Sequence, residues 1–270
     1  MFTSAMTSLS PIAFAHNRRV STRVAAIVPV ELEFTPSTYG VLTARSSDIG
    51  MNGICVNTAS PIERDAVRLV RFTLGRHQLE FSVSARWSSK AISDAGIMTG
   101  FIFDTVDANS ESALWRFIQE RGGQLALFLQ TCNGLGQLDF QEAFELAITT
   151  RIHELERGQM IYGGAGTETS TSIFALFRGS VALERASGRR NENFALVKPG
   201  ELFGGIPIIA GCTSFERAIA NENSMVLEFL GYNVEYLISA KPRVGLALMR
   251  AATFHWMLRF SRILDQAALQ

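Results

Sequence analysis

The chain has 270 residues, and its 25 lysines and arginines balance its 25 aspartates and glutamates. Hydrophobic residues make up 47% of the chain and charged residues 19%, a composition that excludes a largely disordered protein. Because the net charge is zero, no global electrostatic attraction to DNA or to an anionic membrane is expected.

The segment from Val24 to Phe103 has the pattern of a small β-barrel. From Leu79 to Trp87, apolar and polar side chains alternate with the period of two of a half-buried strand. Several short strands separated by turn-forming clusters are typical of a barrel. The other predicted strands are Val28 to Phe34, Gly53 to Val56 and Val67 to Leu74, and the predicted turns include Ser46 to Asp48 and Thr58 to Pro61.

A helical segment follows the barrel pattern, and Ser110 is its predicted N-cap. The glycine-containing segment Asn133 to Gly136 interrupts the helical pattern, and a second one starts near Asp139. We therefore predict an N-terminal domain at residues 14–120, a helical linker at 121–133 and a second domain at 134–270.

The second domain contains a β-rich block of its own, from Met160 to Leu230. Glycines punctuate this block, and after Pro242 the chain is predicted to be helical to its end, since proline suits the first turn of a helix. The predicted strands are Ser172 to Phe177, Val181 to Leu183, Phe194 to Val197 and Met225 to Leu230.

Three arginines, Arg18, Arg19 and Arg23, stand just before the first strand. Guanidinium groups bind phosphates bidentately and also stack on aromatic bases, which lysine does not do. The alternative is a solvated basic turn without a ligand.

The segment from Asp48 to Gly53 lies between two strand-like runs and carries glycines at positions 50 and 53. Its residues are typical of an ordinary turn. The same pattern also lets another molecule approach the backbone closely, with a carboxylate nearby to accept hydrogen bonds from the N–H edge of a base.

Together these two segments resemble the PilZ domain. Arg19 and Arg23 match its Arg-x-x-x-Arg motif, and Asp48 and Gly53 match its Asp/Asn-x-Ser-x-x-Gly turn, in which Gly50 replaces the usual serine. The later strand that ends in Trp87 and a Gly-x-x-Phe strand ending at Phe103 extend the resemblance over residues 14–120.

The resemblance implies that the N-terminal domain is a barrel that binds cyclic di-GMP. Its arginines would grip phosphates and guanines, Asp48 would meet a guanine edge, and Gly53 would let the ligand lie against the turn. The loss of the serine hydroxyl at Gly50 would remove one hydrogen bond, worth about 0.5–1.5 kcal/mol. The candidate residues of this site are Arg18, Arg19, Arg23, Asp48, Gly50, Asn52 and Gly53.

The second domain resembles the cyclic-nucleotide-binding domain of catabolite-activator-type proteins. The matching segments are Gly158 to Ile161, Phe177 to Val181 and Lys198 to Gly205, within residues 134–270. The resemblance implies a β-roll with flanking helices, in which a short helix points its N–H groups at a cyclic phosphate. An arginine would neutralise the phosphate and a glutamate would accept from the ribose 2′-hydroxyl.

This chain departs from that pattern at both charged positions. The family's Phe-Gly-Glu is Phe203-Gly204-Gly205 here, and alignment through the following strand places Ser214 where the arginine belongs, with Arg217 as the remaining candidate. One interpretation is a β-roll scaffold without its usual ligand. The other is cAMP or another cyclic mononucleotide held by backbone N–H groups, at a site made of Phe203, Gly204, Gly205, Ile206, Arg217 and Ala218.

Other features of the sequence indicate where the protein is located and which classes of protein are excluded. The three cysteines are far apart and odd in number, which is typical of reduced cytosolic thiols, and the first 15 residues lack the pattern of a signal peptide. A cytoplasmic location is expected. No phosphate-binding loop, nucleophile elbow or metal-ligand spacing occurs in the sequence, so we predict neither an enzyme nor a metal site.

The leading hypothesis is an adaptor that binds cyclic di-GMP and relays its level to an effector protein, with cAMP sensing by the second domain as an addition. The apolar segment from Gly245 to Ile263 resembles the helix that forms the dimer seam of the catabolite-activator family, so a homodimer is expected. A DNA-binding regulator would need a helix-turn-helix after this segment, and the sequence up to Gln270 is too short for one. The third hypothesis is a ligand-free interaction module.

Overall fold

The computed structural model describes residues 22–35, 40–63, 66–90, 96–163, 171–187, 190–211 and 216–268. Of the candidate site residues, Arg18 and Arg19 lie outside these ranges, as do Ser214 and Cys212.

The N-terminal half contains a closed antiparallel barrel. Its sheet has the strand order β1-β3-β2-β5-β6-β7-β4, and an additional pairing of β3 with β4 closes strands β2 to β7 on themselves. Strand β1 lies outside the closed circuit and pairs only with the end of β3. The strands are β1 Arg23–Ala25, β2 Pro29–Phe34, β3 Val41–Gly50, β4 Gly53–Thr58, β5 Val67–Leu74, β6 His77–Lys90 and β7 Ile97–Phe103.

The predicted turn at Ser46 to Asp48 is wrong, because these residues belong to β3 and are buried. The pairing of β3 with β4 shifts register between Ser46 and Asp48. The Ser46 hydroxyl accepts a hydrogen bond from the Val28 N–H at 2.9 Å and donates one to the Ala26 carbonyl at 2.7 Å. The polar side chain of Ser46 is therefore tolerated in the strand interior because local backbone groups satisfy it.

A single helix, α1 Ala108–Thr131, connects the two halves. Its N-cap is Asp107, whose carboxylate accepts from the N–H groups of Asn109 and Ser110, so the prediction of Ser110 as N-cap is wrong. A carboxylate at this position also interacts favourably with the helix dipole. The first half of α1 packs in the barrel core, its second half packs in the core of the C-terminal half, and the predicted boundary at 120/121 lies inside it.

The C-terminal half is a β-roll of two four-stranded antiparallel sheets, ordered β13-β10-β15-β8 and β12-β11-β14-β9. The strands are β8 Thr150–Leu155, β9 Met160–Tyr162, β10 Ile173–Arg178, β11 Val181–Ser187, β12 Arg190–Val197, β13 Leu202–Gly204, β14 Glu216–Ala220 and β15 Ser224–Phe229. The fold-class prediction, mainly β with a barrel, a β-roll and flanking helices, is confirmed.

Four helices flank the roll: α2 Phe140–Ala147, α3 Ile206–Ala210, α4 Gly231–Ala240 and α5 Pro242–Ala268. Asp139 begins α2 with a capping box completed by Glu142, and Pro242 begins α5 as the sequence predicted. Helix α4 was not predicted, since no side chain caps its start and it begins on a glycine. Among the described helices, none is both long and apolar enough to cross a bilayer.

The two halves meet along their outermost strands. Val24 and Ala25 of β1 are fully buried in the same core as Ile152 of β8 and Leu129 of α1. An exposed ion pair, between Arg45 of β3 and Glu154 of β8, also crosses the boundary, with 3.0 Å between the nitrogen and the oxygen. Strand β1 therefore lies between the two halves, and both of them contribute to the burial of its apolar residues.

Candidate functional sites

Arg23 and Asp48, the charged residues of the two N-terminal segments, form a direct ion pair. The Nη1 of Arg23 donates to the Oδ1 of Asp48 at 2.7 Å, although the residues are 25 positions apart. The pairing of β1 with β3 positions them, because Arg23 lies opposite Gly50 and Ala25 lies opposite Asp48. Asp48 is only 1% exposed and the side chain of Arg23 is 15% exposed, so most of this contact is shielded from water.

Gly50 and Gly53 lie directly under the Arg23 side chain. The two glycines pair with each other across a tight hairpin whose turn is Met51 and Asn52. A Cβ added to Gly50 would lie 2.5 Å from the Cγ of Arg23, and one added to Gly53 would lie 3.3 Å from its Nη2 and collide with the Phe101 carbonyl. Neither glycine has a positive φ. Gly50 is therefore required for close approach of the arginine, and Gly53 for close approach of the Phe101 backbone, and neither is required for backbone conformation.

A second arginine, Arg151 of β8, binds the other oxygen of Asp48. Its Nε donates to Oδ2 at 3.1 Å, and its guanidinium carbon lies 5.0 Å from the centre of the Trp87 ring. Burial is the largest single influence and opposes the charge of this side chain, but the combined attraction of Asp48 and the other acidic groups around it, Glu228 among them, outweighs burial and raises the pKa of Arg151. Sequence reasoning missed Arg151, because it is 103 residues from Asp48 and belongs to no motif.

A buried polar cluster continues from Arg151 into the roll. Glu228 of β15 accepts a hydrogen bond from the Ser172 hydroxyl at 2.7 Å, and one of its oxygens lies 2.9 Å from the Nε2 of His153. Burial alone would raise the pKa of Glu228, but the contacts with His153, Arg151 and Ser172 lower it. The cluster therefore holds an ionised carboxylate within the field of Arg151.

The other N-terminal candidates are placed as follows. Asn52 is exposed on the hairpin turn, and its carbonyl accepts from the Phe103 N–H at 3.0 Å. The Nε of Arg23 is a buried donor without a hydrogen-bond partner. Arg18 and Arg19 lie outside the described residues. The structure thus brings Arg23, Asp48, Gly50 and Gly53 together at one place.

The glycine-containing segment from Phe203 to Ile206, which we call the cassette, forms the end of β13 and the start of α3 and carries no charged side chain. Phe203 and Gly204 end β13, and Gly205 begins the five-residue helix α3 with a φ of 76°. Ile206 and Ala218 are buried. The Phe203 ring stacks on Phe174 at 5.3 Å between centroids, and Phe174 stacks on Tyr162 at 5.7 Å, so aromatic rings fill the roll interior beside the glycines.

Arg217 points away from this interior. Along β14, Glu216 and Ala218 are buried, whereas Arg217 is on the opposite face and donates from its Nε to Glu184 of β11 at 2.6 Å. The structure therefore does not bring Arg217 to the glycines of the cassette.

Three residues that the sequence motifs did not single out occupy the roll next to Phe203. The hydroxyl of Tyr162 donates to Glu216 at 2.6 Å, and the buried Arg259 of α5 donates to the Leu202 carbonyl. Burial raises the pKa of Glu216, while Tyr162 and Arg259 act against this rise. The Glu216 carboxylate accepts from the Tyr162 hydroxyl and attracts Arg259, which are the groups that would otherwise bind a cyclic phosphate. Its presence here therefore disfavours phosphate binding.

Among the described residues, no group of histidine, cysteine, aspartate and glutamate side chains is arranged to hold a metal ion. The thiols of Cys55 and Cys132 are both buried, and burial raises the pKa of each to about 12. Neither thiol is therefore an activated nucleophile at neutral pH.

No family model and no curated protein matches this chain. Among solved structures, a cyclic nucleotide-binding domain from Methylobacillus flagellatus KT is 13% identical, with a TM-score of 0.47 over 56% of this chain and 82% of that one. The regulatory domain of Toxoplasma gondii PKA with cAMP is 13% identical, with a TM-score of 0.45 over 85% of this chain and 77% of the other. Catabolite activator protein of Thermus thermophilus is 22% identical, with a TM-score of 0.40 over 50% and 60%. At TM-scores below 0.5, these likenesses assign the chain neither a family nor a ligand.

Proposed function

We propose that this protein is a cyclic di-GMP-binding effector whose ligand site lies between the Arg18–Arg23 segment and the Asp48–Gly53 turn. The observation that carries the proposal is the contact between Arg23 and Asp48, with the arginine lying over Gly50 and Gly53. Two segments far apart in sequence supply a guanidinium, a carboxylate and a close approach to the backbone in one place.

The charge of this place suits a dianionic ligand. Two guanidiniums, those of the partly buried Arg23 and the buried Arg151, bind the carboxylate of Asp48, and the sequence before Arg23 adds the cationic side chains of Arg18 and Arg19. A cyclic dinucleotide carries two phosphodiester charges and two bases, and guanidiniums bind both kinds of group. The Nε of Arg23 is a buried donor without a partner, and a ligand oxygen that reaches it would gain a hydrogen bond without displacing another acceptor.

The test is calorimetric titration with cyclic di-GMP of the wild type and of Arg23→Ala, Arg19→Ala and Arg68→Ala. Arg23→Ala and Arg19→Ala are expected to abolish binding. Arg68 of β5 is an exposed barrel arginine paired with Glu33, and its loss is expected to leave the affinity unchanged. A wild type that does not bind the dinucleotide, or an Arg23→Ala variant that binds it equally well, would overturn the proposal.

We propose that the protein relays ligand binding to an effector protein, and that it does so as a homodimer. Support for the homodimer comes from the outward face of α5, where four large apolar side chains recur at helical spacing and are each about half exposed. They are Leu246, Phe254, Met257 and Phe260.

For the C-terminal half, the specific observations favour a scaffold without a mononucleotide over a cAMP sensor. Arg217 faces away from the cassette, and Tyr162, Glu216 and Arg259 occupy its interior side. We expect no thermal shift with cAMP or cGMP, whereas a ligand at 100 times its dissociation constant would add about 2.7 kcal/mol. A shift with cAMP that Arg259→Ala changes would establish the sensor instead.

A further inference from the structure

The carboxylate of Asp48 is engaged on both oxygens by arginine side chains. Arg23, from the N-terminal segment, holds Oδ1, and Arg151, from the C-terminal half, holds Oδ2. We propose that Arg151 is a built-in competitor for the cyclic di-GMP site, which must release Asp48 before a guanine edge can dock there. This inference rests on the proposed function and adds its regulation.

The competition follows from the geometry of the groups. The Watson–Crick edge of guanine presents adjacent N–H donors, which a carboxylate accepts with both of its oxygens. The Oδ2 of Asp48 is 3.1 Å from the Nε of Arg151, and Asp48 is almost completely buried. Docking of guanine therefore replaces a charge-assisted hydrogen bond, an exchange that lowers the apparent affinity about tenfold or more.

Arg151 has other partners that keep it in place once it leaves Asp48. Its guanidinium already lies over the Trp87 ring, and the buried Glu228 attracts it from within the roll. Glu228 is itself fixed by His153 and Ser172. Two carboxylates, one in each half of the protein, thus share one arginine, and a ligand that takes Asp48 shifts the arginine toward Glu228.

The proposed shift of Arg151 toward Glu228 would weaken the contact between the two halves of the protein. Arg151 and Ile152 are consecutive residues of β8, and Ile152 packs in the core that also buries Val24 and Ala25 of β1. Strand β1 begins with Arg23, the other partner of Asp48. Release of Arg151 would therefore remove an ionic tie between β8 and β3, next to the place where the apolar residues of β8 and β1 pack together.

The experiment compares cyclic di-GMP binding by the full-length wild type, Arg151→Met and Arg45→Met. Methionine keeps an unbranched apolar side chain against Trp87 but cannot bind Asp48, so the affinity is expected to rise about tenfold. Arg45→Met removes the ion pair with Glu154, which also joins the two halves but does not touch Asp48. Its affinity is expected to equal that of the wild type.

Two further measurements keep the test decisive. Trp87 fluorescence is expected to respond to the ligand in the wild type more than in Arg151→Met, because only the wild type has a cation over the ring that the ligand can shift. If Arg151→Met does not fold, Arg151→Lys is used, and its ammonium, which lacks the bidentate fork, is expected to give a smaller rise in affinity.

The outcomes separate this inference from the function on which it rests. A wild type that binds, with Arg151→Met binding more tightly and Arg45→Met unchanged, supports both. A wild type that binds as well as or better than Arg151→Met overturns the competition but leaves the proposed function intact. Absence of binding by the wild type and by Arg151→Met overturns both.

Discussion

Gly50 is the residue at which this chain departs from the PilZ pattern, and the structure gives a steric reason. A Cβ at this position would lie 2.5 Å from the Cγ of Arg23, close to the main chain of the arginine and not at its flexible end. Placing serine, the residue of the PilZ motif that the sequence resembles, at this position is therefore expected to displace Arg23 from Asp48 and not to add a useful hydroxyl.

We predict that Gly50→Ser weakens cyclic di-GMP binding about tenfold and lowers the free energy of unfolding by about 1–3 kcal/mol, as overpacking does. Calorimetry and urea unfolding measure the two effects. Gly50→Ala is the matched control, since it adds the same Cβ without the hydroxyl and is expected to behave alike. Tighter binding by the serine variant than by the wild type would show that the hydroxyl matters more than the clash.

Glu228 gives the stability of the protein a predictable dependence on pH. Its pKa in the folded protein is lowered from 4.5, because the contacts with His153, Arg151 and Ser172 outweigh the effect of burial. A group with a lowered pKa contributes stability above its unfolded pKa and loses that contribution as the pH falls through its folded pKa.

We therefore predict that the stability advantage of the wild type over Glu228→Gln is largest near pH 7 and shrinks progressively below about pH 4.5. Urea unfolding of both proteins at a series of pH values measures this difference. Glu154→Gln, an exposed residue of the neighbouring strand, serves as a control and is expected to give a much flatter difference. An advantage that grows on acidification would contradict the assigned cause.

The sequence predicted the N-terminal candidate residues but not all of their partners. Arg23, Asp48 and the two glycines could be found because a recognisable spacing joins them. Arg151, Glu216 and Arg259 could not, because each reaches its site only through packing of distant elements, and a lone buried arginine or glutamate leaves no local pattern. Arg217 looked suitable by position, but the alternation of β14 turns its side chain outward.

Helix α1 carries a natural test of how it packs, in the neighbouring residues Gly122 and Gly123. A Cβ at Gly122 would lie 2.6 Å from the Phe144 ring of α2, whereas one at Gly123 would meet only Phe140, at an ordinary 3.6 Å. Alanine is favoured over glycine in a helix by about 0.5–1 kcal/mol. Alanine therefore offers the same intrinsic gain in helix stability at both positions, but only Gly123 has room for the added methyl group.

We predict that Gly123→Ala raises the free energy of unfolding by about 0.5–1 kcal/mol. Gly122→Ala is expected to be less stable than Gly123→Ala by about 1 kcal/mol or more, because Phe144 must move. Urea unfolding of the pair provides the comparison. Equal stabilisation by both changes would mean that α1 and α2 do not pack as closely as the structure shows.

At the level of elements, prediction was reliable wherever hydrophobic period and local turn chemistry agreed. Strand β5 was predicted with its observed bounds, α2 begins next to Asp139, near which a helix was predicted, and α5 begins at the predicted Pro242. Prediction failed at Ser46 to Asp48, where polar residues that usually form turns continue a buried strand. It also missed α4, which lacks a side-chain cap and derives its stability from packing.

For the whole molecule, the proposed homodimer makes a definite prediction about α5. Phe254→Glu and Met257→Glu place a charge on its exposed apolar face and are expected to convert a dimer into a monomer. Light scattering coupled to size exclusion measures the mass. Trp115→Glu makes the same kind of change at a half-exposed residue of α1 and is expected to leave the dimer intact. A monomeric wild type would reject the dimer.

Helix α1 also fixes how the length of this protein can change. Its 24 residues span about 36 Å, and its two ends belong to different cores. One inserted residue would rotate one half against the other by about 100° and pull both sets of apolar side chains out of phase. Natural insertions and deletions should therefore accumulate in the hairpins, and α1 should keep its length wherever this architecture is inherited.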